Sequence, residues 1–240
     1  MRKLVYLFLG CFMFSCGDSA PSEVKSDGDS GNKESEVTHG KFTGSFVGAF
    51  GNNKITIQIA TIENGKVEGR SIVAGNDRPF SGTYSKIDGG YSFVANEPGD
   101  NKDDGQFNFE LYDSDPNTLR GSWRPNNKPA NKKDYVLIRK QFVYQANVGM
   151  YPEASNRLLE GSDLEMLSLM QLGEMRNEIF ARHGYSFKKL EYRQLFEKYD
   201  WYVPVSTNVE ADLTQIEKAN VAKIKEYESY YKDLGEFDAR

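Results

Sequence analysis

From Gly40 to Phe142 apolar and polar side chains alternate with a period of two. Phe42, Phe46 and Phe50 fall on one face and Thr43, Ser45 and Ala49 on the other, the pattern of a half-buried strand. Ile55, Ile57 and Ile59 alternate with Thr56 and Gln58, and Asn64-Gly65 then signals a hairpin into Val67–Ser71. A second hairpin joins Phe80–Lys86 to Tyr91–Ala95 through Asp88-Gly89-Gly90. A third joins Phe107–Tyr112 to Leu119–Trp123 across Asp113–Asn117, and Tyr135–Phe142 supplies the last strand. Eight short strands with tight turns and no helix between them predict an antiparallel meander, closed or nearly closed into a small barrel. Gly44, Gly82 and Gly121 each stand between two same-face apolar residues, where glycine lets a strand coil tightly. The organisation resembles lipocalin-like or avidin-like barrels. Such a barrel either fills its interior with side chains or holds one small ligand. Short strands leave little depth, so the surplus of Phe and Tyr is read as core and rim packing.

After Phe142 the period changes. Gly149–Arg157 leads into helical spacing, with Ser162 or Asp163 as the cap of a first helix. Leu164, Leu167, Leu172, Met175, Ile179 and Phe180 recur up to Gly184, which suits a left-handed C-terminal cap. A shorter helix is predicted over Lys189–Tyr199, with Leu190, Leu195 and Phe196 inward, broken by Trp201-Tyr202-Val203-Pro204. The last helix begins at a capping box, Thr214-Gln215-Ile216-Glu217, and carries an apolar stripe through Leu213, Ile216, Ile224, Tyr227 and Tyr231. The fold class is therefore multidomain β + α: a β-barrel-like domain over residues 40–143 and a compact helical domain over 147–240.

The N-terminus reads differently from both. Arg2-Lys3, an apolar run Leu4–Phe14 and the junction Ser15-Cys16 have the form of a bacterial lipoprotein signal peptide, with Cys16 as the acylated thiol. The apolar run is about half of the ~20 residues that a membrane-spanning helix needs. Residues 1–15 are thus expected to be removed and Cys16 to carry lipid, palmitate among its acyl chains. Residues 17–39 hold six acidic and two basic side chains and almost no large aliphatic ones, so 16–39 is expected to be a lipidated flexible tether, reaching roughly 25 Å. The expected address is the bacterial cell envelope, in the outer membrane and facing the periplasm or the cell surface. Its acidity directly after Cys16 would suit a sorting signal.

Composition narrows the chemistry. Both cysteines, Cys11 and Cys16, lie at or before the cleavage site, which leaves the folded part without a disulfide, a Cys nucleophile or a Cys-ligated zinc. Two histidines, His39 and His183, are too far apart to suggest a metal cluster, and no metal or cofactor is expected. Losing Arg2 and Lys3 moves the formal charge from −5 to −7, which argues against nucleic acid as a partner.

The segment Arg176-Asn177-Glu178-Ile179-Phe180-Ala181-Arg182-His183-Gly184-Tyr185 resembles the signature of the YARHG domain. The likeness extends to Tyr151-Pro152, Ser155, Arg157-Leu158-Leu159, Asp163-Leu164, Phe187, Phe196, Trp201-Tyr202, Glu217–Asn220 and Tyr227-Glu228, over about residues 150–230. Phe180 stands where the name-giving tyrosine usually does. The resemblance implies an extracellular or envelope protein of bacteria and brings no established molecular activity.

On a helix, Glu178 and Arg182 are i,i+4 neighbours with Arg176 to one side, and His183 falls in the last turn, where a cation suits the dipole. One reading makes this a site for a small anionic ligand or a peptidoglycan fragment, with Arg176 and Arg182 gripping carboxylates alongside Glu178 and His183, and Trp201 or Tyr202 stacking a sugar. The other makes it an internal ion-pair network that pins small helices to the Trp201 loop, since a domain this small has a limited apolar core. Asn220, on the inward stripe, reads as a satisfied buried amide. For catalysis, Glu178 and His183 are five apart and face about 140° from each other on a helix, so they form no dyad, and no catalytic residue is assigned. The function expected is a non-catalytic binding module for a cell-wall glycan, peptide or envelope protein. The alternatives are a small-molecule carrier using the barrel and a glycan-acting hydrolase.

Overall fold

The computed structural model describes residues 39–100 and 103–238, with side chains described to residue 234. Residues 1–38, which hold the expected signal peptide, Cys16 and all but the last residue of the expected tether, lie outside the described residues. The described residues belong to one compact unit.

Eight antiparallel strands close into a barrel in chain order. They are β1 (Gly44–Phe50), β2 (Asn53–Glu63), β3 (Lys66–Val73), β4 (Asn76–Ile87), β5 (Gly90–Asn96), β6 (Gly105–Tyr112), β7 (Asp115–Pro125) and β8 (Lys133–Arg139). Closure comes from β1 pairing with β8 through Phe46 opposite Arg139 and Val47 opposite Ile138. The alternation fixed which side faces in: Phe46, Ile55, Ile57, Phe93, Phe107, Phe109, Leu119 and Leu137 are all buried inside. Phe93 stacks on Phe109 with centroids 4.8 Å apart. Each such burial contributes roughly 1.5–3 kcal/mol. At Gly121 a Cβ would lie 2.7 Å from the Phe109 Cβ on β6, so glycine there sets the approach of two strand backbones. β4 and β7 start earlier than predicted. Pro79 sits within β4 opposite Arg70, and the β6–β7 turn is confined to Asp113 and Ser114.

A 3-10 turn, His39–Phe42, plugs one end of the barrel. His39, placed in the tether by composition, is buried edge-on against Tyr84 and Tyr91 at 5.0 and 4.6 Å. Arg139 fastens the plug, donating to the Thr43 and Lys41 carbonyls at 2.5 Å each.

The helical region contains α1 (Glu153–Asn156), α2 (Leu169–Arg182), α3 (Leu190–Phe196) and α4 (Gln215–Asp238). The α2 start differs from expectation. Asp163 closes a separate 3-10 turn, accepting from the Glu160 amide at 2.7 Å and pairing with Arg157, so it cannot cap a helix. Ser168 caps α2 instead, in a reciprocal box with Gln171. Leu190, predicted inward, is 54% exposed, whereas Phe196 is buried. The α4 box forms as predicted: Thr214 Oγ1 accepts from the Glu217 amide at 3.1 Å and Glu217 accepts from the Thr214 amide at 2.9 Å.

The two regions share an interface. Val47, Thr56 and Ile72 face outward from the barrel in one row of the register, yet all are buried. Beside them Lys54 Nζ donates to the Tyr199 and Tyr202 carbonyls at 2.7 and 3.2 Å, and the Lys54 amide donates to Glu197 at 3.0 Å. The Gly75 amide donates to Ser186 Oγ at 3.0 Å, and Lys140 Nζ donates to the Asp200 carbonyl.

Candidate functional site

The helix-terminal segment of the sequence signature folds as a helix stop. The Tyr185 amide donates to the Phe180 carbonyl at 3.1 Å and the Gly184 amide to Ala181 at 2.9 Å, the paired bonds of a Schellman cap. Gly184 supplies the left-handed residue at φ 73°, and a Cβ there would lie 2.7 Å from the Val203 carbonyl. Its own carbonyl accepts from the Val205 and Ser206 amides. Phe180 and Tyr185 meet edge-on at 6.2 Å, the apolar contact that accompanies such a cap.

With α2 stopped there, Arg182 points into the protein and is 2% exposed. Its guanidinium pairs with Glu178 and donates to the Val148 carbonyl at 2.9 Å, the Tyr151 carbonyl at 2.8 Å and Ser155 Oγ at 2.9 Å. Glu178 in turn accepts from the Met150 and Tyr151 amides at 2.8 Å. Burial pushes the Glu178 carboxyl up and the Arg182 guanidinium down, against their mutual attraction and the amide bonds. Together the pair organises the irregular segment before α1. The carbonyls it binds are those of Val148 and Tyr151, and not those of the Trp201 loop expected from sequence.

His183, at the α2 C-cap, reaches across to α4: its Nε2 lies 2.8 Å from Glu217 Oε2. Ser155 Oγ and Tyr144 Oη donate to the other carboxylate oxygen at 2.7 and 3.0 Å, and the Tyr144 ring stacks on His183 at 4.5 Å. Burial opposes ionisation of Glu217, but bonds from His183, Ser155 and the Thr214 amide outweigh it and hold the carboxyl at about 2. An ionised carboxylate carries no proton, so Nε2 is the donor.

Ser155, His183 and Glu217 have the composition of a hydrolytic triad in the wrong order. The hydroxyl donates to the carboxylate and accepts from Arg182, and the imidazole bonds the carboxylate, so the imidazole does not face the hydroxyl as a general base would. Asn220 is 1% exposed and satisfied: its Oδ1 accepts from the Leu159 amide and its Nδ2 donates to the Ala154 and Arg157 carbonyls. Among the described residues no group of three His, Cys, Asp or Glu side chains is placed to hold a metal ion.

The six candidate residues thus fall in different places. Glu178, Arg182 and His183 form one buried network. Arg176 lies outside it, paired with Glu228 of α4 at 3.0 Å. Tyr202 is buried at 1% exposure with its hydroxyl on the Tyr185 carbonyl at 2.8 Å, and Trp201 stacks on Tyr199 at 5.6 Å. Sequence reasoning missed Tyr144, Ser155, Glu217 and Glu228 as partners. Of these, Glu217 carried a local signal, as the fourth residue of the capping box Thr214–Glu217, but that role accounts for one of its four contacts.

Arg176 is also the candidate that lines open space. A cleft of about 440 Å³ lies between the end of α2, the Thr207–Glu210 loop and α4, walled by Arg176, Asn177, Phe180, Tyr185, Asn208 and Lys225.

Residues 148–229 match the family described as the YARHG domain, so the helical C-terminal region carries a YARHG domain behind a closed eight-stranded barrel. The YARHG domain is not a known catalytic domain. No curated protein and no solved structure matches the chain.

Proposed function

We propose that this is a lipid-anchored protein of the bacterial cell envelope whose YARHG region is a non-catalytic binding module for a carboxylate-bearing cell-wall glycan or peptide. The observation that carries the reading is the 440 Å³ cleft beside Phe180. It offers two ring faces for apolar contact, two amides, two cations and the Glu210 carboxylate, a mixed lining of apolar faces and a few placed polar groups. Lys225 makes no ion pair among the described residues, and so can meet an anionic ligand. Outside the cleft lining, the Arg182–Glu178 and His183–Glu217 network ties α2 to α4 and to the segment before α1, which gives the buried residues a positioning role and leaves ligand contact to Arg176, Phe180, Tyr185 and Lys225. Apart from a cup of about 90 Å³ at one end, the barrel interior is filled by side chains, which supports this reading over a carrier. Cys16 as anchor rests on the Ser15-Cys16 junction.

Two measurements test the proposal. The full chain should co-sediment with purified peptidoglycan, and Lys225→Glu should abolish retention without lowering the melting temperature; a wild-type chain that stays in the supernatant sinks the ligand class. Wild type should partition into detergent with membranes and Cys16→Ala should not. A mature wild-type protein lacking lipid would remove the anchor.

A further inference from the structure

The end of the barrel opposite the His39–Phe42 plug is not packed shut. A cup of about 90 Å³ opens there, where one water needs roughly 10–15 Å³. Phe50, Phe107 and Trp123 form its walls, with Phe50 edge-on to Trp123 at 5.7 Å. Glu97 also lines it and is 4% exposed. Its carboxylate accepts from Ser71 Oγ at 2.5 Å, the Gly105 amide at 3.1 Å and Trp123 Nε1 at 3.2 Å. A carboxylate offers about four acceptor positions, so one remains. Tyr135 packs against Phe50 and Phe107 at 5.8 and 6.2 Å, and its hydroxyl is buried with no hydrogen-bond partner.

The cup already holds one cation. Lys133 Nζ sits 4.8 Å over the Phe50 ring and 5.2 Å over Trp123, while the lysine itself is exposed at the start of β8. Arg78, on the same rim, is engaged in an ion pair with Asp104. Withdrawing Lys133 would therefore leave an aromatic cup over a buried carboxylate. Electron-rich ring faces backed by a carboxylate are a receptor for an ammonium group.

We propose that this cup is a second binding site, specific for a small alkylammonium group that displaces Lys133 from the Phe50 and Trp123 faces and is neutralised by Glu97. It is independent of the cleft on the YARHG region. Burial pushes the Glu97 carboxyl up despite its three donors and Arg78, the strain that a bound cation relieves. The volume excludes anything larger than the ammonium and a few carbons, which leaves a free amine or the tip of a lysine side chain on a peptide as sources of the same chemistry.

The chain has two tryptophans, so the full chain labelled with 15N-tryptophan shows two indole N–H signals, assigned by Trp123→Phe. Butylammonium and acetyl-lysine-amide should each shift the Trp123 signal saturably and 1-butanol should not; a response to acetyl-lysine-amide alone would identify a peptide-borne amine. Lys133→Ala, an exposed substitution, should tighten binding by about two- to fivefold by removing the internal competitor. Glu97→Gln should abolish the response. An absent or non-saturable shift, an equal response to butanol, or an affinity unchanged by Lys133→Ala would each overturn the proposal.

Discussion

His183 Nε2 and Glu217 Oε2 lie 2.8 Å apart across 34 residues of sequence, and the same carboxylate caps α4 through the Thr214 amide. One buried side chain therefore ends one helix contact and begins another helix, which ties the C-cap of α2 to the N-terminus of α4. Ser155 and Tyr144 bring the irregular segment before α1 to the same point.

Removing that carboxylate strands four donors at once. Glu217→Ala should cost about 3–5 kcal/mol in urea unfolding, and Glu217→Gln less, because the amide oxygen still accepts. The folded carboxyl titrates at about 2 against 4.5 for the free group. Its contribution is thus complete above pH 4.5 and is lost as pH falls toward 2. The difference in stability between wild type and Glu217→Gln should shrink over that window; a constant difference would show that the hydrogen bonds depend little on its ionisation.

Arg182 gives the second test. The side chains of Arg182 and Glu178 are 0% and 2% exposed, so Arg182→Ala leaves a buried carboxylate and the Val148 and Tyr151 carbonyls without their donor. Thermal unfolding should show a loss of about 3–5 kcal/mol. Arg182→Lys should recover only part, because one ammonium cannot reproduce the planar fork that reaches Glu178, Ser155 and two carbonyls. An alanine variant that melts like wild type but no longer binds cell wall would move Arg182 from positioning to ligand contact.

The barrel was legible because its determinants are local: period-two alternation and hairpin turns such as Asn64-Gly65 act between neighbours in sequence. Where local signals competed, boundaries moved. Pro79 hid the start of β4, and Leu164 and Leu167 kept helical spacing while Asp163 was consumed by its own turn. In the site, the Glu178–Arg182 pair could be read from i,i+4 spacing, whereas Tyr144 and Ser155 join that network, and Glu228 pairs with Arg176 outside it, through contacts between distant segments that no local period encodes. Tyr202 looked like a platform for a sugar because an aromatic near a loop is exposed or buried according to tertiary packing alone.

The barrel–helix interface should respond to pH. Burial raises the Glu197 carboxyl to about 6, only partly offset by the Lys54 amide and the charges of Arg193 and Lys54. A group whose folded value exceeds its free value of 4.5 adds stability that is complete below pH 4.5 and gone above about 6. Stability should therefore fall as pH rises through that range, and Glu197→Gln should flatten the slope. Urea midpoints for the two proteins that run parallel from pH 4.5 to 6 would place Glu197 outside the interface energetics.

Tyr144 decides where the helical module begins. It precedes residue 147, the start read from sequence, yet its ring stacks on His183 and its hydroxyl bonds Glu217. We expect fragments 38–143 and 140–238 each to be soluble and to melt cooperatively. A fragment starting at 145 should melt lower than one starting at 140, since it leaves a donor to Glu217 unreplaced and uncovers the imidazole. The barrel fragment should also bind a hydrophobic dye more strongly than the full chain, because Val47, Thr56 and Ile72 are buried only while the helical region covers them, and adding the helical fragment should reverse the signal. A helical fragment that stays unfolded until the barrel is added would mean that the interface at Lys54, Gly75 and Lys140 is part of its core, and that the two regions fold as one.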